Sequence, residues 1–243
     1  MDGDGDLDIV VVKDAGQDNQ IFINDINSDG STGIFTDSGQ LLGANDSQSV
    51  ALGDVDGDGD LDMVVVNAGL SKQNRVYIND INNDGSAGIF TDSGQLLGAN
   101  DSQSVMLGDV NGDGDLDMVV ANTGLSKQNR VYINDINNDG NAGTFTDSGQ
   151  LLGANDSQSV ALGDVDGDGD LDMVVANTGV SKQNRVFINV GLGAFTDSGQ
   201  LLGANDSQSV VLGDVDGDAD LDTVVVNGGI QGGRVYLGSL SGS

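Results

Sequence analysis

Short runs of Val, Ile, Tyr, Phe and Thr carry most of the apolar content of the chain, and Gly, Asn, Asp or Ser bounds each of them. Examples are SVALGDV (49–55), DMVVV (62–66), RVYIN (75–79) and FTDSGQLL (90–97). This is the pattern of short β-strands separated by polar turns. No segment holds an apolar period near 3.6, so no amphipathic helix is expected. The run Val64, Val65, Val66 is continuous instead of alternating, which predicts a strand covered on both faces.

The strands recur in a fixed order. The string FTDSGQLLGANDSQSV begins at Phe35, Phe90, Phe145 and Phe195 without a change. A second string, DVDGDGDLD, follows each copy, at Asp54, at Asp109 (as DVNGDGDLD), at Asp164 and at Asp214 (as DVDGDADLD), and a clipped copy opens the chain at Asp2. The last full period is shorter because NVGLGAF (189–195) replaces an insert such as NDINNDGSAGIF (79–90). Recent duplication and consensus construction both fit repeats this alike. Four short strands per unit of about 50 residues is the pattern of a propeller blade, and one such unit buries its faces only by stacking on neighbours. The expected fold is therefore all-β: a β-propeller of four-stranded antiparallel blades with about five repeats, near 1–48, 49–103, 104–158, 159–208 and 209–243, in one domain spanning 1–243.

Composition narrows the chemistry. Eight Lys and Arg stand against 39 acidic residues, all of them Asp, for a net charge of −31. That balance argues against nucleic-acid partners and against anionic membranes, both of which need basic patches. It also makes the folded chain repel itself unless cations accompany it. With no Cys and no His there is no disulfide, no thiolate metal site and no Ser-His-Asp or Cys-His triad. No apolar run has the length of a membrane span, so no membrane insertion is expected. The start, MDGDGDLD, is not a signal peptide, so either export is directed by sequence outside this chain or the chain starts inside a longer gene product.

The aspartate strings read as metal loops. In Asp54-Val55-Asp56-Gly57-Asp58-Gly59-Asp60-Leu61-Asp62, side-chain oxygens recur at positions 1, 3, 5 and 9, Gly stands at position 6, and position 7 offers a carbonyl. This is the first part of a calcium loop of the EF-hand type, without the Glu at position 12 and without flanking helices. Ca²⁺ is a hard cation that collects oxygen ligands, whereas Mg²⁺ demands a smaller octahedral shell. Asp62 is then the expected closing ligand. Polar hairpin turns alone need one or two such residues, not four carboxylates. The candidate metal residues are Asp2, Asp4, Asp6 and Asp8; Asp54, Asp56, Asp58, Asp60 and Asp62; Asp109, Asn111, Asp113, Asp115 and Asp117; Asp164, Asp166, Asp168, Asp170 and Asp172; and Asp214, Asp216, Asp218, Asp220 and Asp222. The first set lacks its position-1 ligand and is expected to be the weakest or to be completed by another chain. The last carries Ala219 where a positive φ would strain it. A second acidic loop starts at Asp25, Asp80 and Asp135, and either a further metal or an Asx-rich turn fits it.

Taken together, the Phe35-type strand, the Leu42-Gly43 pair, the SVALGD strand, DVDGDGDLD and the VVVN…RVYIN pair resemble the FG-GAP or VCBS repeat family, the blades of integrin α-subunit-like propellers. The resemblance covers essentially the whole chain. It implies a calcium-dependent, extracellular propeller used in adhesion or ligand recognition, with the metal ligands at the Asp and Asn positions above. Two departures stand out: five calcium motifs occur where integrin propellers have seven repeats, and Asn-Ala-Gly or Asn-Thr-Gly replaces Gly-Ala-Pro.

Closure and partner remain open at this level. The first unit lacks its first strand and the last ends after its third, giving eighteen strands. A five-bladed ring with two thin blades, an open arc, and a ring completed by another chain all fit, and exposed edges at both ends favour a homo-oligomer or a fibre. Lys72, Lys127 and Lys182, with Arg75, Arg130 and Arg185 near them, fall on the rim opposite the aspartate loops. That rim is the expected recognition face, unless these side chains merely neutralise neighbouring Asp. Three function classes follow: a Ca²⁺-stabilised, non-enzymatic adhesion or interaction module with a protein or glycan ligand; a lectin-like carbohydrate binder, disfavoured by the absence of Trp; and an Asp-Asp glycosidase, disfavoured because repeats this alike supply no unique site. A structural or engineered scaffold without natural ligand fits as well.

Overall fold

The computed structural model describes residues 1–24, 33–43, 45–69, 72–81, 88–98, 100–124, 128–136, 143–153, 155–179, 182–203, 206–230 and 232–239. The first sheet holds β1 (Ile9–Val11), β2 (Gln20–Asn24) and β3 (Phe35–Asp37), and the second β4 (Asp46–Gly53), β5 (Asp62–Ala68), β6 (Arg75–Asn79) and β7 (Phe90–Asp92). The third holds β8 (Asp101–Gly108), β9 (Asp117–Thr123), β10 (Arg130–Asn134) and β11 (Phe145–Asp147). The fourth holds β12 (Asp156–Gly163), β13 (Asp172–Thr178), β14 (Asn184–Asn189) and β15 (Phe195–Leu202), and the fifth β16 (Ser207–Gly213), β17 (Asp222–Asn227) and β18 (Arg234–Tyr236). Within each sheet, strands pair antiparallel with their sequence neighbours. The chain is thus all-β, and its eighteen described strands fall into sheets as the repeat pattern predicts. Among the described residues, no helix is long and apolar enough to cross a membrane.

Burial follows the sequence pattern. In β5, β9 and β13 all but the last residue are buried, as the continuous Val runs require. The strand expected from FTDSGQLL is broken in three of its four copies. After Asp37, the Asp37 Oδ1 accepts the Gly39 N–H at 2.9 Å, and Gly39 takes φ +75°, so the chain leaves the sheet. It returns at Leu42, which bridges Asn19 and is buried. An extra residue with glycine in the left-handed region is a β-bulge. In β15 the same Asp197–Gly199 turn falls at a register shift and the strand continues through it.

Two compact units divide the chain: Met1–Asn100 with Asp135–Thr144, and Asp101–Asn134 with Phe145–Ser243. The core of the first gathers Ile21, Leu42, Met63, Val65, Tyr77 and Phe90, with Val10, Val12 and Ile23 of the first sheet packed against it. In the second, Val110, Val119 and Val131 of the third sheet meet Met173, Val175, Phe187 and Phe195 of the fourth. Another cluster joins Val174, Ala176 and Val186 of the fourth sheet to Val210 and Val225 of the fifth. In the first sheet Phe35 is 42% exposed, against 5% for Phe90 and 8% for Phe195 in the second and fourth.

Candidate metal centre

Four of the aspartate loops join the first strand of their sheet to the second, as Asp54 follows β4 and Asp62 opens β5, while the clipped first loop precedes β1. The loop is curled by its own carboxylates. Asp54 accepts the N–H groups of Gly57 at 2.7 Å and Gly59 at 2.9 Å, Asp56 that of Asp58 at 3.2 Å, and Asp58 that of Asp60 at 2.9 Å. Asp109, Asp164 and Asp214 repeat the position-1 pattern. In the clipped first loop, Asp2 accepts from Asp4 and Asp4 from Asp6. Such a curl needs left-handed backbone at two places, and Gly57 (φ 81°) and Gly59 (φ 96°) supply it. The fifth loop places Ala219 there at φ 76°, the strain expected from its sequence.

Position 9 has a role that spacing does not reveal. Asp62 is fully buried, and each of its oxygens takes a backbone N–H: Oδ2 from Val55 at 2.9 Å and Oδ1 from Asn79 at 2.8 Å. Asp117 does the same with Val110 and Asn134, Asp172 with Val165 and Asn189, and Asp222 with Val215 and Gly238. Asp8 takes the Met1 ammonium and the Asn24 N–H. This residue staples the loop to the end of the third strand. A carboxylate offers about four lone-pair directions, so two N–H bonds leave room for a cation. Position 7 also acts through its backbone: the N–H groups of Asp115, Asp170 and Asp220 reach Asp113, Asp168 and Asp218, while the Asp60 side chain turns away to accept the Ile81 N–H at 2.8 Å.

The structure brings together Asp54, Asp56 and Asp58 in the second loop, Asp164, Asp166 and Asp172 in the fourth, and Asp214, Asp216 and Asp218 in the fifth, one oxygen from each residue lying within 4.8 Å of the others. In the third loop, Asn111 Nδ2 donates to Asp113 Oδ2 at 2.8 Å. Burial pushes the Asp62 carboxyl up to about 7, against the pull of the Asn79 and Val55 N–H groups and with Asp56 and Asp58 adding to the rise. Burial lifts Asp117 to about 6 and also raises Asp56 and Asp172. Asp222 moves down, held by the N–H groups of Val215 and Gly238.

A cation fits these residues on one specific observation. Asp58 Oδ2 is buried and has no hydrogen-bond partner. A buried carboxylate oxygen without a donor is costly unless a positive charge faces it. Neighbouring carboxylates at about 4 Å add between about 1 and about 4 kcal/mol of repulsion per pair, depending on solvent access. The second acidic loops lie mostly outside the described residues: Asp80 and Asp135 are described, but Asp25 and the residues after Asp80 and Asp135 that would complete the motif are not.

Residues that spacing did not single out tie one sheet to the next. In the first unit, Gln40 Nε2 donates to Gly88 O while its Oε1 accepts the Phe90 N–H at 2.9 Å. In the second, Gln150 makes the same two bonds with Gly193 O (2.7 Å) and Phe195 N–H (2.8 Å). Asn79 Nδ2 reaches Met1 O at 3.1 Å, and Asn189 Nδ2 reaches Val110 O at 2.7 Å, each joining a third strand to the aspartate loop of the sheet before it. On the basic side, Arg75, Arg130 and Arg185 pair with Asp92, Asp147 and Asp197 at 3.3–3.4 Å, so these arginines neutralise the adjacent strand. Lys182 contacts Asn155, and Lys127 lies outside the described residues.

Among solved structures, the fold is similar to the crystal structure of the V. cholerae biofilm matrix protein Bap1, at 19% identity and a TM-score of 0.44, over 92% of this chain and 32% of that one. The chain thus spans about a third of that protein's length. No curated protein matches it. The FG-GAP-like repeat profile matches residues 1–65, 109–175 and 164–225, and each span runs from one aspartate loop to just beyond the next. With those loops, their staples and well over half of the sequence accounted for, the chain belongs to the FG-GAP-like repeat family.

Proposed function

We propose that this chain is a non-enzymatic, calcium-binding repeat module for adhesion, protein interaction or assembly outside the cell, its five sheets serving as blades of a propeller left open or completed by another molecule. The observation that carries this reading is the partnerless, buried Oδ2 of Asp58 inside a group of three carboxylates that recurs along the chain. Asp54, Asp56 and Asp58, with their counterparts in the other loops, would hold the ion beside the position-9 staples. Bound Ca²⁺ supplies the positive charge that these carboxylates lack, and five ions at two charges each would take the formal charge from −31 to −21. The loops join strands of packed sheets, so the ions act as permanent struts and not as a switch. Affinities of about 10⁻⁴–10⁻³ M are the class found in extracellular modules. The absence of His and Cys and the near-identity of the repeats support a non-enzymatic role. The partner is a protein or a glycan, which a glycan array read in calcium separates.

The test is isothermal titration with Ca²⁺ together with thermal melts in calcium and in chelator. Calcium at about 100 times its dissociation constant adds about 2.7 kcal/mol per independent site. Unchanged midpoints together with no binding heat would reject the proposal.

A further inference from the structure

The chain contains two Asn-Gly steps, Asn111-Gly112 and Asn227-Gly228. In such a step the glycine nitrogen can attack the preceding carboxamide, because glycine carries no Cβ to block the approach. The first step falls at positions 3 and 4 of the third aspartate loop. The other four loops carry Asp at position 3, as Asp2, Asp56, Asp166 and Asp216. Exchange of the Asn111 amide for an acid would therefore give the third loop the carboxylate set of the second and fourth.

The loop holds both reacting groups. The Gly112 N–H donates to Asp109 Oδ1 at 2.7 Å, so a carboxylate stands where it can take the amide proton. Asn111 Oδ1 accepts the Asp113 N–H at 2.9 Å, which polarises the carbonyl under attack and would stabilise the oxyanion that forms there. Asn111 Nδ2 donates to Asp113 Oδ2 at 2.8 Å, which fixes the carboxamide at its other end. Gly112 is exposed, and a Cβ built on it would meet nothing within 4 Å, so water reaches this step. The second Asn-Gly step lacks the base and the space. The Asn227 carboxamide is likewise held at both ends, by Ser207 Oγ and Gly232 O, each at 2.8 Å. Its Gly228 N–H, however, donates to the main-chain oxygen of Asp206, and a Cβ on Gly228 would meet Asp206 and Gln208 at 3.3–3.4 Å.

We propose that Asn111 is a self-modification site, at which the third loop converts its own asparagine to an acid. The Gly112 nitrogen bonds to Asn111 Cγ as its proton passes to Asp109 Oδ1. The Cγ–Nδ2 bond breaks, and the departing nitrogen carries that proton away as ammonia, leaving a cyclic imide. Water then opens the ring, its oxygen going to a carbonyl carbon and one of its protons to the imide nitrogen. Addition at Cγ gives aspartate, and addition at the main-chain carbonyl gives isoaspartate. Either product adds one negative charge to the loop. What that charge does for a cation rests on the calcium reading above; the conversion does not, because no step of it uses an ion.

The experiment incubates the full chain in chelator at mildly alkaline pH and follows both Asn-Gly steps by digestion and mass spectrometry, conversion being read as the mass gained when amide becomes acid. In the folded chain Asn111 should convert at least about tenfold faster than Asn227, as a placed base allows. In urea, where neither loop exists, the two rates should converge. Asp109→Asn keeps an oxygen acceptor but loses the base, and should slow conversion of Asn111 by about tenfold or more while leaving Asn227 as it was. The comparison of folded and urea-treated wild-type chain decides the matter even where that variant does not fold. Three results would overturn the proposal: equal rates at the two steps in the folded chain, a difference of the same size in urea, or undiminished conversion in an Asp109→Asn chain that melts cooperatively.

Discussion

Acidification should stabilise this protein in chelator and destabilise it in calcium. Burial holds the Asp62 carboxyl at about 7 and Asp117 at about 6, against 3.8 for the free side chain. Between those values the folded chain keeps protons that the unfolded chain has released. The stabilisation is therefore complete below about 3.8 and is lost as pH rises through about 6 for Asp117 and about 7 for Asp62. At about 1.4 kcal/mol per pKa unit, Asp62 alone accounts for on the order of 4 kcal/mol. That is a large share of the 5–15 kcal/mol typical of a folded domain. Bound calcium favours the ionised carboxylates, so the dependence changes sign and stability rises with pH. Urea unfolding followed by the fluorescence of Tyr77, Tyr132 and Tyr236 at pH 5 and pH 8, with chelator and with calcium, measures both slopes. General relief of charge repulsion would act on any aspartate, so Asp62→Asn should flatten the chelator slope while substitution of the exposed Asp14 should not. Slopes of one sign in both solutions, or a flat profile in chelator, would refute the reasoning.

Three further outcomes are expected. Ala219→Gly relieves the left-handed strain in the fifth loop and should raise stability by about 1 kcal/mol, read as a higher melting midpoint. Gln150→Ala strips the partners from Gly193 O and Phe195 N–H and should cost about 1–3 kcal/mol in chemical denaturation, whereas Gln200→Ala should cost less than about 0.5 kcal/mol. Arg185→Ala removes a pair whose side chains are 31% and 44% exposed and should change stability by no more than about 1 kcal/mol, and by less at high salt.

Much of this architecture is legible in the chain itself. The apolar runs mark the strands, and counting them gives both the number of strands and their distribution among sheets, because a run such as Val64–Val66 is informative without its neighbours. The curl of the aspartate loops is equally local, since the carboxylates of Asp54, Asp56 and Asp58 each bond an N–H within five residues. The break after Asp37 went unread because the Ser-Gly bulge sits inside an otherwise extended string. Gln40 and Gln150 went unread for another reason: their partners lie dozens of residues away, and the string around them is identical in every copy, so nothing distinguishes a clamping residue from a passive one. The second task of Asp62 was hidden likewise, because its Asn79 partner arrives from a different strand.

The glutamine clamp grips only main-chain atoms, a carbonyl and an amide two residues apart, at Gly88 and Phe90 for Gln40 and at Gly193 and Phe195 for Gln150. The glutamine itself reads no side chain in the segment it holds. Such an array can gain or lose a whole module at one genetic step, and the new seam forms with no compensating change on either side.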